Sequence, residues 1–288
     1  MLMPHAKVVL ATLFVILCWA YSPVGIHIAL QAYAPDNLAV LRFLIASVFM
    51  AGVAWCKGIA RPRVRDLPLF AVLGLFAVTL HHIALNYGQR GVSAGAASVL
   101  AQSTPLFSAL LASTLFRERL GAWQWGCVLG GLLGAGVVAV GDRGLGELDG
   151  HGVLILLAAA SWSLYFALQK RYSQRYDGLT MVCFTLWSGT ALLLVYLPGL
   201  PEEVAQAPVS VNLAVLVLGI FPSALAYLAW AYVLTHSQVS RAAIALYLIP
   251  PVAMVMAWVI LAQRPSMMVI VGTVIVLASV GALTVKVR

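Results

Sequence analysis

Residues 92–116 read VSAGAASVLAQSTPLFSALLASTLF, twenty-five residues without a single charge. A helix needs about 20 apolar residues to cross the hydrocarbon core of a bilayer, so this run is long enough to do so. Residues 239–261, VSRAAIALYLIPPVAMVMAWVIL, open on the same Val-Ser pair and carry a proline at the corresponding place, Pro250 for Pro105. The first stretch predicts a membrane helix. The second predicts that the helix occurs twice.

Working outward, composition agrees with the first reading. Of 288 residues, 17 are Lys or Arg and 9 are Asp or Glu, so 9% are charged and 62% are hydrophobic. The mean hydropathy is +0.99. A soluble domain carries about 25% charged residues, and this chain lacks the polar material for a water-facing shell. Disorder is excluded too, since it requires low hydrophobicity and high charge density. Cys18, Cys56, Cys127 and Cys183 lie in or beside apolar stretches with no CxxC pair, so neither a zinc site nor a disulfide framework is expected.

Breaking the chain at charges, Pro/Gly clusters and polar runs leaves ten candidate spans: 8–33, 38–56, 67–87, 92–116, 120–141, 152–169, 179–197, 213–234, 239–261 and 267–285. They are continuous apolar runs, unlike the alternating segments of a membrane β-barrel. The expected fold is an all-α integral membrane protein of ten transmembrane helices. The apolar run after Lys7 exceeds the core of a signal peptide and is read as a retained first span. The short connections leave no room for a soluble catalytic domain.

Charge gives the orientation. With both termini cytoplasmic, thirteen of the 17 basic residues fall on the cytoplasmic side and only Arg90, Arg143 and Arg264 outside, with Arg42 inside span 2. That is the positive-inside pattern, and it predicts a multi-pass membrane protein with this orientation. The net charge of +8 is therefore an orientation signal, and no nucleic-acid partner is expected.

The repeat extends well beyond the two quoted stretches. Pro105 and Pro250 are 145 residues apart, as are His82 and Tyr227, and Tyr87 and Tyr232. Gly126 and Gly272 are 146 apart, and Trp19 and Trp162 are 143 apart. Two five-helix units are expected, 1–147 and 148–288, with five spans each. Because five is odd, the second unit enters from the opposite face, giving an inverted repeat of the kind common in secondary transporters.

At these residues the sequence resembles the drug/metabolite transporter superfamily, specifically its ten-helix EamA type, over nearly the whole chain. The resemblance rests on Trp19, on Pro35 with Arg42, on Ala96 to Ser98 leading to Pro105, on Glu118-Arg119-Leu120 and Gly126, and on Trp162, Pro250 and Gly272. Gln263 stands where the family often has Glu, so no ionic role carries over to it. Within the superfamily the chain is most similar to bacterial exporters of aromatic and other neutral amino acids. The resemblance implies a transporter that exports small amphipathic solutes by alternating access.

Helical spacing selects candidate site residues. Ser98, Gln102 and Pro105 fall at i, i+4 and i+7 in span 4, with Tyr247 and Pro250 equivalent in span 9. The prolines free carbonyls at midspan and kink the helix, a gate or a packing device. In span 3, His82, Asn86 and Gln89 share a face, and across the repeat Tyr227 and Trp230 form an aromatic counterpart. Such a set hydrogen-bonds a zwitterion and stacks an apolar side chain, or simply packs a core. Trp19, Ser22 and Pro23 share a face in span 1, and Trp162, Tyr165 and Gln169 do so in span 6. Of the two adjacent histidines His81 and His82, spacing favours His82 as inward. Arg42 either attracts a substrate carboxylate or snorkels to the outer interface. Gly126, Gly130 and Gly134 form a repeated GxxxG that packs the two halves or two protomers.

No Asp or Glu lies at midspan and no P-loop motif is present, so a uniporter or exchanger is expected, with His82 the one credible proton carrier. No catalytic activity, metal or cofactor is expected. The partners are a small-molecule substrate, an amino acid or similar metabolite, and the lipid bilayer; monomer and homodimer stay open. The competing readings are an exporter of another metabolite or drug, a channel, a membrane enzyme, or a haem protein ligated by His27 with His81 or His82.

Overall fold

Inside a bilayer core no water is available to the backbone, so each N–H and C=O must be paired within the protein. The computed structural model describes residues 4–114, 120–143, 150–172, 175–236 and 245–285, and among them every element is helical. Eight helices are long and apolar enough to cross a membrane, and two shorter apolar ones, Leu246–Leu261 and Met267–Leu283, bring the total to ten.

Span 1 is Pro4–Ala29 and span 2 is Pro35–Lys57. Span 3, Val64–Gln89, is interrupted by a π-helical turn at Leu75–Leu80. Span 4 consists of two helices, Ala94–Ala101 and Thr104–Thr114. Spans 5 and 6 are Ala122–Arg143 and His151–Tyr172, and span 7 is Gly178–Tyr196. Span 8 runs from Val209 through a π-helical turn at Phe221–Leu225 to His236. Span 9 is Leu246–Leu261 and span 10 is Met267–Val285. The expected start of span 9 at residue 239, and Glu118 and Arg119, lie outside the described residues.

The termini of these helices follow from local chemistry. Pro35 opens span 2 at a position where its missing N–H costs nothing. Asp177 caps span 7, accepting from the Thr180 N–H at 2.9 Å and from its hydroxyl at 2.5 Å. Burial raises the Asp177 carboxyl, but those hydrogen bonds outweigh it and hold the group below the usual carboxylate range. One helix is absent from the sequence reading: Leu200–Gln206, in the connection between spans 7 and 8. Its seven residues are too few for a periodic signal. Gly199 precedes it at φ +87°, and Pro201 and two glutamates fill its first turn, where negative charge suits the helix dipole.

Packing between spans obeys the predicted two-fold relation. Span 1 packs on span 8 as span 6 packs on span 3, and span 1 on span 9 as span 6 on span 4. Span 2 packs on span 8 as span 7 packs on span 3, while the pairs 2 and 7, 4 and 9, and 5 and 10 each join a span to its own counterpart. The π-helical turns fall at equivalent places in spans 3 and 8, each preceded by a glycine at close approach. A Cβ on Gly74 would meet the Gly189 backbone nitrogen at 2.3 Å, and one on Gly219 would meet the Arg42 carbonyl at 2.9 Å. The GxxxG of span 5 packs the two halves together. Gly134 faces Ile275 and Val276 of span 10, Gly130 faces Ser279, and Gly126 meets nothing within 4 Å.

Spans 4 and 9 differ from the sequence expectation in one respect. The one-face argument through Ser98, Gln102 and Pro105 assumed an unbroken helix, but span 4 stops at Ala101 and restarts at Thr104. Pro105 therefore sits in the first turn of a new helix, as Pro250 does after the 3-10 turn Leu246–Leu248.

Candidate functional site

Arg42 lies seven residues into span 2, about 10 Å along its axis at 1.5 Å per residue. It does not snorkel: the residue is 3% exposed and turned into the bundle. Its Nε donates to Ser223 Oγ at 2.6 Å and its Nη2 to Ser22 Oγ at 3.1 Å. Nη1 stands 3.5 Å from His82 Nδ1, at the outer limit for a hydrogen bond. Ser223 belongs to the π-helical turn of span 8, and its own hydroxyl donates to the Leu218 carbonyl at 2.8 Å. Three spans from the first half and one from the second thus converge on one guanidinium. None of these partners is an acid, and among the described residues no carboxylate lies within ion-pair distance of Arg42.

His82 reinforces this donor character. A guanidinium has donors only, so the contact at Nδ1 requires the His82 tautomer that keeps its proton on Nε2. That Nε2 is buried and has no hydrogen-bond partner. Farther along span 3, the Asn86 amide donates to the Pro35 carbonyl at 2.8 Å and the Gln89 amide to the Pro23 carbonyl at 2.9 Å. Their oxygens, Asn86 Oδ1 and Gln89 Oε1, are buried acceptors without partners. Among the described residues, one face of span 3 therefore presents one unpartnered donor, His82 Nε2, and two unpartnered acceptors beyond it.

Aromatic rings lie on the other side of this polar group. Trp19 meets Tyr227 edge-on at 6.1 Å and Trp230 at 5.7 Å, and its indole N–H donates to the Pro222 carbonyl at 3.2 Å. Trp162 stands 5.8 Å from Tyr227, 5.2 Å from Tyr165 and 4.7 Å from His81. Spans 1, 3, 6 and 8 contribute these rings, two from each half. Arg42 and His82 are buried, while Trp19, Trp162, Tyr227 and Trp230 are half-buried.

The structure thus brings together Trp19, Ser22, Arg42, His82, Trp162, Tyr165, Tyr227 and Trp230. Other predicted residues do different work. Gln102 donates to the Leu246 carbonyl at 2.8 Å, joining spans 4 and 9 at their breaks, and the Tyr247 hydroxyl reaches the Val280 carbonyl at 3.3 Å. Ser98 is buried and bonds its own helix at Gly95. Gln169 is half-buried one turn beyond Tyr165. Pro23 supplies the carbonyl that holds Gln89.

His81 was set aside in favour of His82 because two adjacent helical residues diverge. They do diverge, but each meets the site: His82 lies on Phe43 and Arg42, and His81 bonds the Ala158 carbonyl at 2.8 Å and faces Trp162. Ser223 was also missed. Its only sequence signal is Pro222, an imino acid within an apolar span, which marks where the ladder of span 8 is disturbed.

Polar contacts hold the end of the bundle rich in acids, one pair within the first half and the others between the halves. Asp142 accepts from the Ser93 N–H at 2.7 Å and from its hydroxyl at 2.5 Å. Gln263 accepts from the Ala94 N–H at 3.1 Å and its amide meets His27 at 3.0 Å. Glu203 accepts from the Ala34 N–H at 3.1 Å, and Tyr33 bonds Asn212. Two surface concavities lie elsewhere. An apolar one of about 470 Å³ lies among spans 3, 4 and 6, beside Phe76, Phe107 and Leu164. A basic one of about 640 Å³ lies at the opposite end, beside Arg61, Arg63, Arg65 and Arg175. Neither is lined by a residue of the Arg42 group. Among the described residues no cluster of His, Cys, Asp or Glu is arranged to hold a metal.

Comparison with known proteins accords with this arrangement. The EamA-like transporter family matches the chain twice, over residues 6–140 and 152–285. An uncharacterized transporter of Bacillus subtilis, YdfC, is 35% identical over 270 residues, 94% of this chain and 88% of its own length. A probable terminal-alkyne amino-acid exporter of Streptantibioticus cattleyicolor is 34% identical over 281 residues, 96% of this chain and 93% of its own length. A protein of known crystal structure has the same fold, with a TM-score of 0.64, 21% identity and 97% of each chain covered. A family match to both halves, ten apolar helices and their two-fold packing identify the chain as a member of the EamA-like transporter family, a multi-pass membrane transporter of the drug/metabolite superfamily.

Proposed function

We propose that this transporter exports small amphipathic solutes bearing a carboxylate, aromatic and other neutral amino acids above all, by alternating access as a uniporter or exchanger. The observation that carries the reading is the buried Arg42 guanidinium, which has only neutral partners and stands at the junction of both halves. A charge taken out of water calls for an opposite charge, and a substrate carboxylate supplies it in the bidentate geometry a guanidinium favours. The orphan acceptors of Asn86 and Gln89 suit an ammonium group, and Trp19, Trp162, Tyr227 and Trp230 suit an apolar or aromatic side chain. The amino-acid exporter among the relatives supports the same substrate class.

The half-buried aromatic rings near buried Arg42, together with the contacts between the halves at the acidic end, support a state closed outward. The basic loops support a reading in which the opposite end and both termini face the cytoplasm of a bacterial inner membrane. The two units of the alternating cycle are residues 1–147 and 148–288.

Counterflow in proteoliposomes with a panel of labelled amino acids tests the proposal. Saturable exchange of aromatic and neutral amino acids, insensitive to an imposed pH gradient, is expected. Absence of exchange with every member of the panel sinks the amino-acid assignment, and transport driven strongly by the pH gradient and lost in His82→Ala sinks the facilitative one.

A further inference from the structure

The basic concavity opposite the acidic end is a site in its own right. We propose that it binds the headgroup of an anionic phospholipid from the leaflet at that end, clasping the two halves of the transporter together. The concavity, about 640 Å³, is lined by Arg61, Arg63, Arg65 and Arg175, with Asp66 and Tyr176 at its base. Among the described residues four arginines and one carboxylate line it, and that carboxylate is already engaged. Asp66 accepts from the Tyr176 hydroxyl at 2.6 Å and lies 3.5 Å from Arg175. Asp66 is buried, whereas Arg61, Arg63 and Arg65 are exposed. Tyr176 also accepts from the Arg63 N–H at 3.2 Å, which fixes the loop between spans 2 and 3 against the loop between spans 6 and 7. Among the described residues the side chains of Arg61, Arg63 and Arg65 make no hydrogen bond or ion pair.

Location selects the ligand. The concavity lies where span 2 ends at Lys57, span 3 begins at Val64 and span 7 begins at Gly178, which is the headgroup level of the bilayer. Exposed apolar residues flank it in sequence: Trp55 at 91%, Val64 at 81% and Leu67 at 45%. Trp at a span end marks the membrane interface, and these side chains would lie along acyl chains while the arginines hold the phosphate. Guanidiniums pair with phosphate oxygens bidentately. Basic pockets between helix ends on the cytoplasmic side suit anionic headgroups. A positive-inside signal requires basic loops but not their convergence, from both halves, on one walled concavity.

The test uses the full chain in nanodiscs of phosphatidylcholine with a minor fraction of phosphatidylglycerol. Phosphatidylglycerol retained on the protein is read by native mass spectrometry. Wild type is expected to retain phosphatidylglycerol over phosphatidylcholine, and Arg63→Gln to weaken that preference about fivefold, with further loss in the Arg61, Arg63 and Arg65 triple glutamine variant. Lys57→Gln, in the same loop but outside the concavity, is expected to behave as wild type. Equal losses in Lys57→Gln and Arg63→Gln would show a diffuse surface charge and overturn the proposal. If the arginine variants fail to insert, the wild type alone decides: retention of phosphatidylglycerol unchanged by salt, or no greater than that of phosphatidylcholine, overturns the lipid assignment.

Discussion

Replacing Arg42 with Gln separates substrate recognition from architecture. The lost internal contacts are the guanidinium's bonds to two serine hydroxyls, at 2.6 and 3.1 Å and about 1.5–3 kcal/mol each, a loss that acts on every ligand alike. A bond to a charged group contributes about 1.5–3 kcal/mol. If a substrate carboxylate docks on the guanidinium, Arg42→Gln weakens its apparent affinity by about 10- to 150-fold. The amide of the same amino acid keeps the side chain and the ammonium but has no carboxylate, so it binds wild type poorly and is indifferent to the substitution. The assay is counterflow in proteoliposomes, with apparent KM measured for acid and amide in wild type and variant. Reasoning from Arg42 predicts that discrimination between acid and amide collapses in the variant. Parallel losses for both ligands would assign Arg42 to packing alone and refute the carboxylate reading. Arg42→Lys keeps the charge but not the planar fork, and an intermediate effect is expected.

Three further outcomes follow from the geometry. Trp162→Ala removes the ring that joins His81, Tyr165 and Tyr227, and is expected to weaken transport of aromatic substrates about two- to tenfold without lowering folded yield; unchanged transport would exclude Trp162 from the path. Gly272→Ala places a methyl 2.8 Å from the Gly134 carbonyl, where backbone cannot yield, and should cost about 1–3 kcal/mol in thermal unfolding. Gly126→Ala, facing open space, should leave Tm unchanged, and equal effects at both positions would contradict the packing of spans 5 and 10. Glu203→Gln combined with Gln263→Ala loosens the acidic end, so Ala94→Cys in a cysteine-free background should be labelled from that side about tenfold faster or more, since the Glu203 contact between the halves is charge-assisted. No change in labelling would show that these bonds do not hold the closed state.

Much of this protein is legible one residue at a time. Charge scarcity and apolar run lengths determine a membrane solvent, because a helix must hide its backbone and match the bilayer thickness. The constant offset between Pro105 and Pro250, and between His82 and Tyr227, determines the repeat, and an odd number of spans per unit determines its inversion. The inward faces of spans 1, 3, 6 and 8 were visible as i, i+3 and i+4 patterns of Trp, Tyr and His.

What only the tertiary structure decides depends on contacts distant in sequence or on departures from helical period. The π-helical turns at Leu75–Leu80 and Phe221–Leu225 rotate everything beyond them, and no propensity marks them apart from Pro222. The second of these turns itself carries Ser223, which meets a residue 181 positions away. The break after Ala101 sends Gln102 to span 9, where a continuous helix would have kept it in register with Ser98 and Pro105. Arg42 shows the division most clearly. The sequence establishes a basic residue two turns inside a span, where snorkelling and pairing are both open to a long side chain. The packing of Gly219 against its backbone and two serines at its head closes the first course, and leaves a buried cation among neutral partners.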